Sequence, residues 1–147
     1  MKPPVWRLER SVYPHFVRIQ TRYRDEDRLH HINNIAIAEY YDEARSVFTR
    51  EMFAQAGVSE RTRIVTADSR VTYLAEVFHM QPVEIATGIL RIGGSSYEIG
   101  QALFVGDSCK GVCATVFVHA EKTGATPMPA QLRAALETMR IRVPQPA

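Results

Sequence analysis

Residues 24 to 34 read Arg24-Asp25-Glu26-Asp27-Arg28-Leu29-His30-His31-Ile32-Asn33-Asn34, a run that gathers carboxylates, imidazoles and amides in one short stretch. These are the groups that activate water, move protons and hold a polarised carbonyl. The run leads directly into a segment of helical periodicity. A helix begins with backbone N–H groups that lack partners and with about half a positive charge, so it can polarise a carbonyl and stabilise the oxyanion formed on attack. A carboxylate a few residues upstream can sit on the other side of the same carbonyl, and Asp27 stands at that spacing. Ionised, it either activates water or attacks directly. His31 either orients substrate or water or braces the loop through its ring nitrogens. Asn33 or Asn34 suits the helix N-cap. The same residues also fit a solvated acidic loop that only complements the helix dipole, worth about 0.3–1 kcal/mol. Carboxylates beside His30 and His31 invite a divalent metal as well. No second ligand cluster follows downstream, so no metal is expected.

The elements that would carry this loop are readable on both sides of it. Residues 15–23 alternate, with Val17, Ile19 and Thr21 on one side and Arg18, Gln20 and Arg22 on the other, which predicts a half-buried strand. From residue 35 to about 56 the period changes: Ile37, Tyr41, Ala44, Phe48 and Met52 form one apolar helical stripe, and Gly57 supplies a stop. Such a helix is about 30 Å long, enough to cross a small sheet. Strands are predicted at 63–67, 70–78, 83–92, 96–105 and 112–119, with a break at Pro82, a turn at Gly93-Gly94 and a hairpin loop over 106–111. Pro127 and Pro129 lead into a short helix at 130–139, and the tail after it is expected to fray. The long helix has no comparable partner helix, so its apolar face must lie on the sheet. The predicted fold class is therefore α+β, a curved antiparallel sheet wrapped around one long central helix. One domain over residues 1–147 accounts for the chain, and the sheet's second face and edges call for a homodimer or homotetramer.

A hydrophobic share of 46% with 23% charged residues is ordinary for a folded globular chain and excludes disorder. The net charge is +2 with Arg and Lys dispersed, so nucleic acid is not an expected partner, though a local patch could hold a phosphate. No stretch approaches the roughly 20 apolar residues of a membrane helix, and Met1-Lys2-Pro3-Pro4 lacks the apolar core of a signal peptide. No membrane partner and a cytoplasmic location are expected. Cys109 and Cys113 would share one face of a straight strand about 13 Å apart, too far for a disulfide. Both are expected as small core or surface residues.

Three stretches together, Arg24-Asp25-Glu26-Asp27, His31-Ile32-Asn33-Asn34 and Tyr40-Tyr41-Asp42-Glu43-Ala44-Arg45, resemble the signature of the 4-hydroxybenzoyl-CoA thioesterase family of hotdog proteins. That signature is an Asp-x-Asp loop, a Gly-His-Val-Asn-Asn-like turn and a helix with Glu-x-Arg or Glu-Ala-Arg. Arg91-Ile92-Gly93-Gly94-Ser95-Ser96-Tyr97 resembles the family's sheet turn, and residues 114–120 with Pro127-Met128-Pro129 and Leu132 resemble its last strand and closing helix. The resemblance spans nearly the whole chain. Two positions depart from it: His30 replaces the usual glycine before the histidine, and Ile37 replaces a frequent aromatic. The first bears on the loop, because glycine permits backbone angles that histidine tolerates less well.

The resemblance implies the hotdog fold and hydrolysis of acyl-CoA or acyl carrier protein thioesters. It assigns Asp27 as nucleophile or general base, the backbone N–H near Asn34 as the oxyanion site, and Asp25 to a structural part. Coenzyme A would enter as part of the substrate, with no separate cofactor. For its phosphates Arg91 beside Gly93 and Gly94 is the first choice, since arginine and backbone N–H groups suit phosphate. Asn33, Gly94 and Ser96 complete the expected substrate-binding set. The alternative is a non-catalytic acyl-CoA binding or sensing protein of the same fold. Tyr73, Tyr97, Phe104 and Phe117 are expected in the core or at a subunit interface.

Overall fold

A computed structural model describes residues 2–145; Met1 and the last two residues of the tail lie outside the described residues. Asn33 caps the long helix α1 (Asn34–Ala56), its side-chain oxygen accepting from the Ala36 N–H at 2.8 Å. Gly57 closes the other end with a left-handed φ of 68°, a conformation that favours glycine. Between these caps Ile37, Tyr41, Ala44, Phe48 and Met52 are all buried. Each large apolar side chain so buried contributes about 1.5–3 kcal/mol, more than helix propensity supplies.

The strands are β1 (His15–Ile19), β2 (Ile64–Tyr73), β3 (Val83–Ile92), β4 (Ser96–Val105), β5 (Ser108–Glu121) and the short β6 (Gly124–Ala125), followed by α2 (Ala130–Glu137). They form one antiparallel sheet in the order β1-β3-β4-β5-β2, with β6 attached to β5. Helix α1 lies in its concave face. Under the first half of α1, Ile37, Tyr41 and Ala44 pack with Ile85, Leu103 and Cys113. Under the second half, Phe48 and Met52 pack with Ile89 and Tyr97, and α2 closes the end with Leu132 and Leu136. The curved sheet around one central helix is as the order of elements required.

Several local expectations change. The two strands predicted at 63–67 and 70–78 are one strand, β2, because an extra residue at Ala67 lets the polar pair Asp68-Ser69 stay in register with β5. After Tyr73 the chain leaves the sheet, so residues 74–78 are not strand. The hairpin predicted over 106–111 is shorter: Val105 pairs with Ser108 around Gly106 and Asp107. Likewise β1 ends at Ile19. The cysteines do not share a face. Lys110 is the extra residue between the Leu103–Gly111 and Phe104–Cys109 pairs, and this shift sends Cys113 to the helix side and Cys109 to the convex side. Both thiols are free.

On the convex side, Val12, Tyr13, Phe104, Val112 and Ile141 form a further core under short 3-10 turns at Val5–Leu8 and Arg10–Val12. Buried Arg7 fastens this N-terminal segment, donating to the Tyr13 hydroxyl and to the carbonyls of Gln101 and Cys113. The C-terminal tail is held in place as far as Arg142, and residues 143–145 beyond it are exposed. Ile141 donates to the Ile89 carbonyl at 2.9 Å, Arg142 to that of Val12 at 2.8 Å, and the Ile141 side chain seats on Gly88 and Gly100. No described helix is long and apolar enough to cross a membrane. The edge strand β2 leaves residues 66–70 exposed.

Candidate active site

The loop before α1 is held from within by Asp25. This buried carboxylate accepts from the Arg22 backbone N–H at 3.0 Å, from the Arg22 guanidinium at 2.9 Å and from the Tyr40 hydroxyl at 2.5 Å. Burial raises its pKa, but the hydrogen bonds from Tyr40 and Arg22 outweigh that and hold it below the ordinary carboxylate value. Burial and the Asp25 carboxylate push the Tyr40 phenol up. Asp25 thus ties the loop to the first turns of α1.

Asp27 shapes the next turn. Its Oδ1 accepts from the N–H groups of Leu29 at 2.9 Å and His31 at 3.2 Å, while its own N–H donates to the His31 carbonyl at 2.8 Å. The turn requires His30 at φ 64°, the backbone angle for which glycine is the ordinary choice. The His30 side chain points outward, with Nδ1 3.6 Å from Glu26. Among the described residues, the second oxygen of Asp27 accepts no hydrogen bond.

Asp27, His31, Asn34, Ile37 and the segment from Tyr73 to Val77 line one cleft of about 300 Å³. The structure therefore brings Asp27, His31 and Asn34 together. At the tip of α1, the cap oxygen of Asn33 is taken by Ala36 and its carbonyl by Ile37. The N–H groups of Asn34 and Ile35 precede the first intrahelical bond and have no acceptor among the described residues. Asn33 itself is committed to the cap. His31 braces the cleft wall, with Nε2 3.3 Å from Glu76 and its ring edge-on to Phe78 at 5.3 Å. The loop is also stitched to that wall by the Ile32 N–H donating to the Val77 carbonyl at 2.8 Å.

Arg91, Gly94 and Ser96 stand elsewhere. Their turn packs beside the second half of α1, a helix spanning about 34 Å, so one subunit does not bring them to the Asp27 cleft. There the Gly94 carbonyl accepts from the Met128 N–H at 3.1 Å, Arg133 donates to the Gly93 carbonyl, and Arg91 is exposed. Of the four aromatics, Tyr97 and Phe104 are core, but Tyr73 lines the cleft and its hydroxyl donates to the Asn34 carbonyl at 3.4 Å. Tyr73 and residues 74–77 escape a sequence reading because period-two alternation does not reveal where a strand ends. Among the described residues, no three His, Cys, Asp or Glu side chains gather as metal ligands would.

A curved antiparallel sheet wrapped around one long helix defines a hotdog-fold protein, and in this one a carboxylate and the first residue of the helix line the same cleft. The chain belongs to the thioesterase-like superfamily, which it matches over residues 21–136. Thioester hydrolysis is the reaction class this membership supports. The structure is similar to that of a predicted thioesterase from Bacillus stearothermophilus, with 26% identity, a TM-score of 0.75 and coverage of 90% of this chain and 98% of that one. A protein of Pseudomonas aeruginosa is similar at 26% identity and a TM-score of 0.73, over 90% and 96% of the two chains. A Thermus thermophilus thioesterase complexed with coenzyme A and zinc shares the fold at 23% identity and a TM-score of 0.75, over 86% and 94%. No curated protein sequence matches the chain.

Proposed function

We propose that the chain hydrolyses acyl-CoA thioesters as a member of the 4-hydroxybenzoyl-CoA thioesterase branch of its superfamily. One observation carries the reading: Asp27 and the first residue of α1 line the same cleft, each with a group still free to engage a ligand. As general base, Asp27 takes a proton from a water whose oxygen bonds to the thioester carbon. As nucleophile, it bonds to that carbon itself, and water later hydrolyses the resulting anhydride. In either route the carbonyl oxygen becomes an oxyanion facing the Asn34 and Ile35 N–H groups, and its collapse breaks the C–S bond and expels a thiolate, which takes its proton from Asp27 in the first route and from water in the second. His31 holds the cleft wall through Glu76 and Phe78.

Coenzyme A in the Thermus thermophilus relative supports a CoA thioester as substrate. Acyl carrier protein thioesters remain within the same chemistry. Exposed Leu74 lines the cleft, Leu29, Ile35 and Phe78 are exposed next in sequence to residues of the cleft or its loop, and the β2 edge is open, which favours a homodimer or homotetramer that buries them. In such an assembly Arg91, Gly94 and Ser96 would meet coenzyme A from a neighbouring subunit. The test is thiol release over a panel of acyl-CoA substrates. Asp27→Asn is expected to fold normally and to lose at least about 100-fold in turnover. Undiminished hydrolysis by that variant refutes the assignment, and tight acyl-CoA binding without thiol release would instead identify a binding protein.

A further inference from the structure

The convex side of the sheet carries a cavity of its own. It measures about 500 Å³ and lies between the N-terminal segment and the β5–β2 ladder, lined by Lys2, Pro4, Arg7, Arg70, Val112 and Ala114 among others. Arg70 and Thr72 of β2 pair with Ala114 and Val112 of β5, and Val112 belongs to the convex core, so the Arg70 side chain projects from that face. Pairing of the β2 edge with a second chain would engage backbone groups and leave this side chain where it is. Tyr73 lines both this cavity and the Asp27 cleft, and among the described residues the two share no other.

Arg7 is the fixed part of this wall. The residue is only 7% exposed. Its Nε donates to the Tyr13 hydroxyl at 3.1 Å, and Nη2 donates to the carbonyls of Gln101 and Cys113 at 3.1 and 3.0 Å. These bonds pin the guanidinium over β4 and β5 but supply no formal negative charge. Burying a cation is costly unless a counter-charge accompanies it. Nη1 makes no hydrogen bond among the described residues, and it is not sealed from solvent. Fastening the N-terminal segment accounts for Nε and Nη2. It does not account for a free Nη1 with Arg70 and Lys2 gathered on the same cavity. No acid lines that cavity. Among the described residues Lys2, Arg7 and Arg70 form no ion pair, although Asp68 stands on the same face of β2 as Arg70.

We infer that this convex cavity binds a phosphate-bearing small molecule, with Arg7 as the preset donor and the exposed Arg70 and Lys2 closing on the same group. A guanidinium fork matches phosphate oxygens, and a phosphoryl group near neutral pH carries close to two negative charges with three acceptor oxygens. A phosphate or diphosphate therefore answers three cations better than a single carboxylate does. The volume falls in the range of small-molecule sites, and Pro4, Val112 and Ala114 give apolar contact for an organic body. The phosphates can arrive on coenzyme A, reaching past Tyr73 from the Asp27 cleft, or on a separate phosphorylated metabolite. Binding at this cavity stands independently of hydrolysis at Asp27.

Calorimetric titration of the full chain with sodium pyrophosphate provides the test, with citrate as a multiply charged carboxylate control. Pyrophosphate is expected to bind one saturable site per chain, at least about tenfold more tightly than citrate. Arg70→Gln should weaken it by about tenfold or more, the scale of a charged hydrogen bond, and Lys2→Gln by less. Arg18→Gln, on the opposite edge strand β1, should leave it unchanged. Lys2, Arg18 and Arg70 are all exposed, so these variants leave the core intact and Arg7 need not be altered. Absence of saturable binding at millimolar pyrophosphate, equal affinity for citrate, full affinity in Arg70→Gln, or an equal loss in Arg18→Gln overturns the inference. Once binding is found, coenzyme A distinguishes the sources. Displacement of pyrophosphate by coenzyme A assigns the phosphates to the substrate, and failure to displace it assigns them to a separate metabolite. A protein that cleaves no thioester would refute the hydrolase reading alone, since the pyrophosphate titration does not depend on turnover.

Discussion

His30 occupies the left-handed position that closes the Asp27 turn, at a cost of about 1 kcal/mol for a residue with a Cβ. Glycine would relieve that strain but add freedom to the unfolded chain, so the two effects oppose each other. His30→Gly is therefore expected to leave stability within about 1 kcal/mol of wild type in urea denaturation. A loss well beyond that would mean the His30 side chain holds the loop. Asp25 gives the protein an acid sensitivity of definite sign. Its folded pKa is depressed below an unfolded value of about 3.9, so its contribution is complete above that value and is lost as pH falls through the folded one. Denaturation at graded pH should show wild-type stability dropping below about pH 4. Asp25→Asn should be weaker by about 1–3 kcal/mol at pH 7 and should drop less steeply in acid. An unchanged acid slope in that variant would assign the sensitivity to another group.

Helix α1 is positioned by its ends as much as by its face. Asn33→Ala removes the acceptor for the Ala36 N–H and is expected to cost about 1 kcal/mol, read as a lower thermal midpoint. On the convex side, β3 and the C-terminal tail approach so closely that only glycine fits at residue 88. A Cβ there would stand 2.6 Å from Ile141 Cγ1 and 2.8 Å from Pro14 Cδ. Gly88→Ala should destabilise by about 1–3 kcal/mol and expose the tail to limited proteolysis. Adding Ile141→Ala should recover part of that loss, because the two sites share one contact and their effects will not add.

The sheet leaves a ten-residue edge strand, β2, with residues 66–70 exposed, and an apolar collar beside it at the cleft. Open edges and apolar patches of this kind are normally covered by a partner. Light scattering is expected to give a mass at least twice the 16.6 kDa of the chain. A monomer at working concentration would leave Arg91, Gly94 and Ser96 without access to the Asp27 cleft, and coenzyme A would have to find its phosphate contacts elsewhere.

Much of this was written locally. The stripe from Ile37 to Met52, the cap at Asn33 and the stop at Gly57 depend on neighbours within one or two helical turns, so the side-chain types alone specify them. The proximity of Asp27, His31 and Asn34 follows in the same way, from a short turn that runs straight into a helix. Other features depend on residues far apart in the chain. Arg45 and Gln101 are 56 positions apart, and the tail reaches Ile89 only after both pack on one sheet. Bulges at Ala67 and Lys110 join what looked like two strands and separate two cysteines that looked like neighbours on one face. Alternation assigns faces only while a strand stays in step. Register is settled by which apolar side chains the assembled core accepts, and a one-residue slip leaves no mark on the pattern yet turns every later side chain over.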